Sequence, residues 1–141
     1  MNYNIGFVGY SATDFDHDAA QAIIDDIFDE LEAKYAPSEV NIISGATKLG
    51  IPAMVYETAV RRMADNDHVH YKLTGIMCKD GYTCELFPCD VIYAVGDNWG
   101  DESETFLSSI NTLYKIGGGK QSIAEYERAQ ALKIVCKQFD L

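Results

Sequence analysis

The run Gly117-Gly118-Gly119-Lys120-Gln121-Ser122, with Glu125 behind it, holds the residue types that would bind and act on a phosphorylated ligand. Glycines let a backbone approach an anion and aim its N–H groups at it, and the positive end of a following helix favours negative charge. Lys120 adds a cation, and Ser122 offers a hydroxyl either to a phosphate oxygen or to the helix start as its cap. The spacing is not that of a Walker loop, which needs G-x-x-x-x-G-K-[ST]. The alternative for the three glycines is a tight turn that merely needs the conformational freedom. Glu125 stands three residues after Ser122, which suits a capping box. It equally suits a carboxyl group one turn inside the helix, semi-buried beside a ligand, with a raised pKa and a sugar or water to act on.

Other segments carry candidate contacts of the same kind. Gly9, Tyr10 and Ser11 follow an apolar run and place two amides and a hydroxyl at its end. Ser44, Gly45, Ala46 and Thr47 lead into a second turn closed by Gly50, read either as ligand-binding backbone or as a strand-to-helix turn with its own caps. In the segment from Gly96 to Gly100, Trp99 lies between glycines, where it either stacks on a base or covers a neighbouring helix or subunit. Asp97 is placed to accept from ribose hydroxyls. Asp101, Glu102 and Glu104 read as favourable charges at a helix N-terminus. Their other reading, a divalent-metal cluster, is the poorer one because such sites seldom draw all their oxygens from one short run. Cys78, Cys84 and Cys89, with His68 and His70 near them, have spacings wider than zinc sites use and no C-x-x-C pair, so free thiols and no metal are expected.

The elements that must position these residues follow from the apolar pattern. Short apolar runs at Ile5 to Gly9, Val40 to Ile43, residues 69 to 77, Asp90 to Val95, Leu113 to Ile116 and Ile134 to Cys136 read as strands. Helices are expected between them. The first has a face of Phe15, Ala19, Ile23, Ile27, Leu31 and Tyr35 and a solvated acidic side. The second begins near Pro52, with Ala53, Tyr56, Val60 and Ala64 inward. A third covers 102 to 110 and a last about 122 to 132. Runs of apolar residues, rather than alternation, point to a mostly parallel sheet covered on both faces, a doubly wound Rossmann-like α/β fold. In such a fold ligands bind outside the carboxyl ends of the strands, where the glycine-rich segments fall.

Composition narrows the rest. One domain spans the 141 residues, with 48% hydrophobic residues, no internal repeat and no low-complexity tract. Eleven Lys and Arg against 22 Asp and Glu leave a net charge of -11, which disfavours nucleic acid as a partner. No apolar run approaches the roughly 20 residues of a membrane span, and no basic leader begins the chain, so a soluble, cytoplasmic protein is expected.

Ser122 and Glu125 behind Gly118-Gly119 resemble the Gly-Gly-x-Gly-[ST]-x-x-Glu signature of the lysine-decarboxylase-like, or LOG, family of Rossmann proteins within the SLOG superfamily. Ser44-Gly45-Ala46 with Gly50-Ile51 is similar to that superfamily's second glycine turn, and the order of elements agrees over roughly residues 4 to 137. The resemblance implies that Gly118, Gly119 and Ser122 hold a phosphate, that Glu125 is the catalytic glutamate, and that the chain forms a homodimer or higher homo-oligomer with the crevice near the interface. Gln121 replaces the signature's third glycine and Gly117 its usual proline. No arginine occurs between Arg62 and Arg128, where phosphoribohydrolases of the family carry one. That absence favours nucleotide binding, as a sensor, carrier or sequestering protein, with a nucleotide as ligand and no required cofactor. The alternative is hydrolysis or transfer at the N-glycosidic bond of a nucleoside 5'-monophosphate through Glu125.

Overall fold

Six segments pair side by side in parallel, and the central ones run apolar without strict polar alternation, as a sheet covered on both faces requires. The structure, a computed structural model, describes residues 2–141. In chain order the elements are β1 (Tyr3–Gly9), α1 (His17–Tyr35), β2 (Glu39–Ser44), α2 (Gly50–Asp65), β3 (His70–Met77), β4 (Val91–Ala94), α3 (Ser103–Ser108), β5 (Thr112–Ile116), α4 (Lys120–Ala131) and β6 (Val135–Phe139). The sheet order is β4-β3-β2-β1-β5-β6, and every adjacent pair is parallel. This is the doubly wound α/β architecture. No helix is long and apolar enough to cross a membrane among the described residues.

Alternate strand residues serve two cores. Ile5, Phe7, Val40 and Ile42 pack with α1 and α2 through Ile24, Ile27, Phe28, Val55 and Tyr56. Val8, Ile43, Ile76 and Leu113 pack on the opposite face with Phe106 and Leu107 of α3 and Tyr126 and Ala129 of α4. Each fully buried side chain of this size contributes about 1.5–3 kcal/mol relative to exposure. The two helix pairs lie on opposite faces because the chain winds outward from β1 to β4 and then returns to lay β5 on the other side of β1. Right-handed crossovers in opposite directions put their helices on opposite faces.

Several expected details are different. A strict four-residue step overshoots a helical turn by about 40°, so the face of α1 drifts from the expected one. Ala20, Ile24, Ile27, Phe28 and Leu31 are buried, whereas Ala19 and Ile23 lie at the margin. In α2 the buried side is Ile51, Val55, Tyr56 and Ala59, with Val60 and Ala64 exposed. The acidic side of α1 is not wholly solvated, for Arg62 reaches across from α2 to Asp25, Asp29 and Glu32. Between β3 and β4 the chain forms only a 3-10 turn over Lys79–Thr83. Its continuation pairs with the turn after β2, Phe87 N–H donating to the Ala46 carbonyl and Lys48 N–H to that of Glu85, each at 2.8 Å.

Candidate functional site

A cleft of about 430 Å³ opens at the carboxyl ends of β1, β2 and β3, beside the point between β1 and β5 where the strand order reverses. Val8 and Gly9 of β1, Ser44 of β2 and Ile76 and Met77 of β3 form its floor. Gly45, Ala46 and Thr47 and then Pro52 form one side, and Phe106 of α3 and Gln121, Ser122 and Glu125 of α4 the other. Trp99, 54% exposed, stands in the wall with Leu49 and Cys84.

The backbone near the cleft is held close by residues without side chains. Gly118 has φ +110°, which favours glycine, and a Cβ there would run into Ser122. Gly50, at φ +61°, lies against the Tyr10 carbonyl, where any side chain would collide. These close approaches bring the loops after β1, β2 and β5 together.

Glu125 is not a helix cap. The N-cap of α4 is Gly119, so Ser122 sits inside the first turn, and its hydroxyl donates to the Gly9 carbonyl at 3.1 Å. The capping-box expectation for Ser122 and Glu125 therefore fails, because the helix begins two residues earlier than expected. Glu125 is 8% exposed and lines the cleft. Ser103 Oγ donates to its Oε2 at 2.9 Å. Burial pushes its pKa up from 4.5 to about 7, the Glu102 charge adds to the rise, and hydrogen bonds from Ser103 and Gln121 oppose it.

Glu102 is the second acid of the cleft. It occupies the N-cap position of α3 but makes no side-chain cap, and it is 6% exposed. Gln121 Nε2 donates to its Oε1 at 2.9 Å, and Gly100 N–H donates to its Oε2 at 3.2 Å. Among the described residues of the cleft wall, Glu102 and Glu125 are the only charged side chains.

The candidate residues separate into two groups. Gly9, Ser11, Ser44, Gly45, Ala46, Thr47, Trp99, Gln121, Ser122 and Glu125 line the cleft. Ser44 is fully buried, and its hydroxyl donates to the Phe7 carbonyl at 2.7 Å, tying β2 to β1. Tyr10, Gly96, Asp97, Gly117, Gly118, Gly119 and Lys120 do not contribute to the wall. Tyr10 is used structurally: its carbonyl accepts from Ile51 N–H at 2.8 Å and its hydroxyl donates to the Leu141 carbonyl at 3.3 Å. Asp97 points to Lys79 at 3.3 Å, and Gly96, at φ +75°, turns the chain against Asp101. Gly117 N–H donates to Phe139 at 2.9 Å. Lys120, the first residue of α4, is exposed.

The three acids expected to act alike at the start of α3 have separate tasks. Asp101 accepts from the N–H groups of Asp97 and Asn98, each at 3.0 Å, and holds their loop. Glu104 pairs with Arg128 of α4 at 3.0 Å. Only Glu102 turns inward. Its burial was hidden in the sequence by two acidic neighbours; the available signal was Phe106, four residues on, which places the same helical side against the core. Among the described residues no three His, Cys, Asp or Glu side chains converge as metal ligands, and Cys78 is buried while Cys84 and Cys89 are half-buried.

Neither a protein-family model nor a curated protein matches the chain. Solved structures do. An X-ray structure of the protein TM1055 is 19% identical with a TM-score of 0.70, over 95% of this chain and 72% of that one. A molybdenum cofactor binding protein from the phototrophic bacterium Rippkaea orientalis is 15% identical with a TM-score of 0.70, over 100% of this chain and 78% of its own. These similarities establish the Rossmann-like fold.

Proposed function

We propose that the chain binds a nucleotide or nucleoside phosphate in this cleft, as a sensor, carrier or sequestering protein. The observation that carries the reading is the position of the cleft: carboxyl ends of the central strands, at the reversal of strand order, against the first turn of a twelve-residue helix. The phosphate sits at the start of α4, where the first-turn N–H groups lack intrahelical acceptors. Ser122 has its proton engaged by Gly9, so the backbone of Gly118 to Gln121 supplies the donors and Lys120 supplies charge from the rim. Glu125 and Glu102 face the sugar, and the base packs on Trp99 and the apolar wall. The similarity in fold to a molybdenum cofactor binding protein supports a small-molecule ligand in this crevice. The same reading carries a homodimer or larger assembly, as the family resemblance implies.

A second reading is favoured by Glu125 itself. A carboxyl group buried in the cleft, not engaged as a cap, and half-protonated near neutrality is suited to proton transfer at an N-glycosidic bond. Incubation with nucleoside monophosphates, NAD and cyclic nucleotides, followed by mass spectrometry of products and of ligand released on denaturation, separates the readings. Stoichiometric intact nucleotide is the expected result for a binding protein, and free base with ribose phosphate for an N-glycosidase. Neither bound nucleotide nor free base would remove both.

A further inference from the structure

We propose that Glu102 is a second catalytic carboxylate, which takes a proton from the attacking water while Glu125 protonates the departing base of a nucleoside 5'-monophosphate. This rests on the N-glycosidic reading above and goes beyond it by assigning the group that takes the water's proton.

The geometry distinguishes the two acids. Both oxygens of Glu102 accept hydrogen bonds from N–H groups, Gln121 Nε2 at 2.9 Å and Gly100 N at 3.2 Å, which is the pattern an ionised carboxylate satisfies. Lone pairs remain for a water. Ser103 Oγ donates to Glu125 Oε2 at 2.9 Å, and the Gln121 amide adds to it. Glu125 is thus held by neutral donors alone, and its protonated form has an O–H to offer a leaving nitrogen. The Gln121 amide lies against both acids, so the two act on the same small volume. Carboxyl groups whose surroundings separate their protonation states are the arrangement that acid and base roles need.

The charge of the cleft suits this reaction class. Among the described residues its wall contains Glu102 and Glu125 and no Lys, Arg or His. Loss of a base from ribose develops positive charge at the anomeric carbon, as in glycoside hydrolysis, and a neighbouring carboxylate stabilises it. In the step, a water oxygen bonds to C1' as the C1'–N bond breaks. The bonding pair leaves with the base, which takes the Glu125 proton, and the water proton passes to Glu102. Return of that proton to Glu125 through solvent restores both groups. The net reaction is nucleotide plus water to ribose 5-phosphate plus free base.

Other titratable groups facing the pair are thiols. Cys78, buried behind β3, has its pKa raised by burial with Glu102 adding to the rise, and Cys84 lies in the opposite wall. The strands and the turn after β2 present hydroxyl groups from Ser44 and Thr47. The assigned pH response is that of Glu125.

The test measures base release from AMP, GMP, CMP and UMP by the full chain, with equilibrium dialysis of the same nucleotides. Glu102→Gln and Glu125→Gln should each lower turnover at least about 100-fold, with affinity within about fivefold. The alkaline limb of the wild-type pH profile should move to lower pH in the residual activity of Glu102→Gln, because a like charge near Glu125 is gone. If Glu102→Gln does not fold, Glu102→Asp, which retracts the charge by one methylene, should lose at least about tenfold in turnover with affinity unchanged. Wild-type turnover in Glu102→Gln or Glu102→Asp, alongside an inactive Glu125→Gln, would overturn the role of Glu102 and leave the N-glycosidic reading standing. Absence of base release by the unmodified chain from every nucleotide overturns both.

Discussion

Carboxylates gather in two regions of this molecule, and their partners differ. Between α1 and α2, Asp25, Asp29 and Glu32 surround Arg62, whose guanidinium approaches them at 3.2, 2.7 and 3.2 Å. Tyr71 of β3 adds a hydrogen bond to Glu32 at 2.7 Å, so the cluster ties two helices to the sheet. In the cleft, Glu102 and Glu125 have, among the described residues, only Gln121, Ser103 and the Gly100 amide. Neutral donors satisfy geometry without cancelling charge. The first cluster has a cation at its centre and is structural; the second has none, and burial, with the Glu102 charge adding to it, raises the pKa of Glu125.

The strongest way to sharpen this contrast is to titrate stability. Folding raises the Glu125 pKa from 4.5 to about 7, so its protonated form stabilises the native state fully below about 4.5, and that contribution is lost as pH rises through about 7. Relative to Glu125→Gln, which stays neutral, the unmodified chain should lose about 3 kcal/mol between those limits, read from urea midpoints at several pH values. Equal pH dependence in the two proteins would mean that the cleft acid is as well compensated as the helix cluster.

Breaking the other cluster should cost slightly less. Arg62→Met removes the cation shared by three carboxylates, two of them partly buried, and leaves only Arg61 beside Asp25, at 3.6 Å; it should lower stability by about 2 kcal/mol, a figure between those of exposed and buried pairs. Raising salt should recover part of the loss, since the remaining repulsion is screened. A smaller effect is expected from Gln121→Ala. Loss of its bond to Glu102 should cost about 1 kcal/mol and move the Glu125 titration, followed by carboxyl NMR, further upward. The smallest is Lys120→Ala, which should weaken nucleotide affinity only severalfold, about 0.5–1 kcal/mol, because the side chain is exposed at the rim. A hundredfold loss there would place the phosphate on Lys120 instead of on the backbone.

The strands and the glycine-rich ends were legible because backbone constraint is local. Apolar runs such as Val40 to Ile43 must be buried on both sides, and a turn such as that at Gly50 admits no side chain against the Tyr10 carbonyl. Helix faces were less legible. Phe15, Ala19 and Ile23 share a four-residue step, but 3.6 residues per turn carries such a row around the helix, and the strands beneath decide which part is covered. In the candidate site, the sequence placed Gln121, Ser122 and Glu125 behind a glycine loop, and the structure puts all three in the cleft wall. It did not reveal that Lys120 would stay outside or that Ser122 would spend its proton on Gly9.

From the sequence alone come the alternation of strands and helices, the parallel sheet, the excess of negative charge and the absence of an arginine between Arg62 and Arg128. Each is a property of composition or of neighbours along the chain. Which acids are compensated was decided only in three dimensions. Glu102 and Glu125 belong to different helices and meet because β5 returns to the centre of the sheet and carries α4 against α3, whereas Asp25, Asp29 and Glu32 meet Arg62 across α1 and α2. Burial and the charge of the nearest partner set the protonation of a carboxyl group, and both depend on segments remote in sequence.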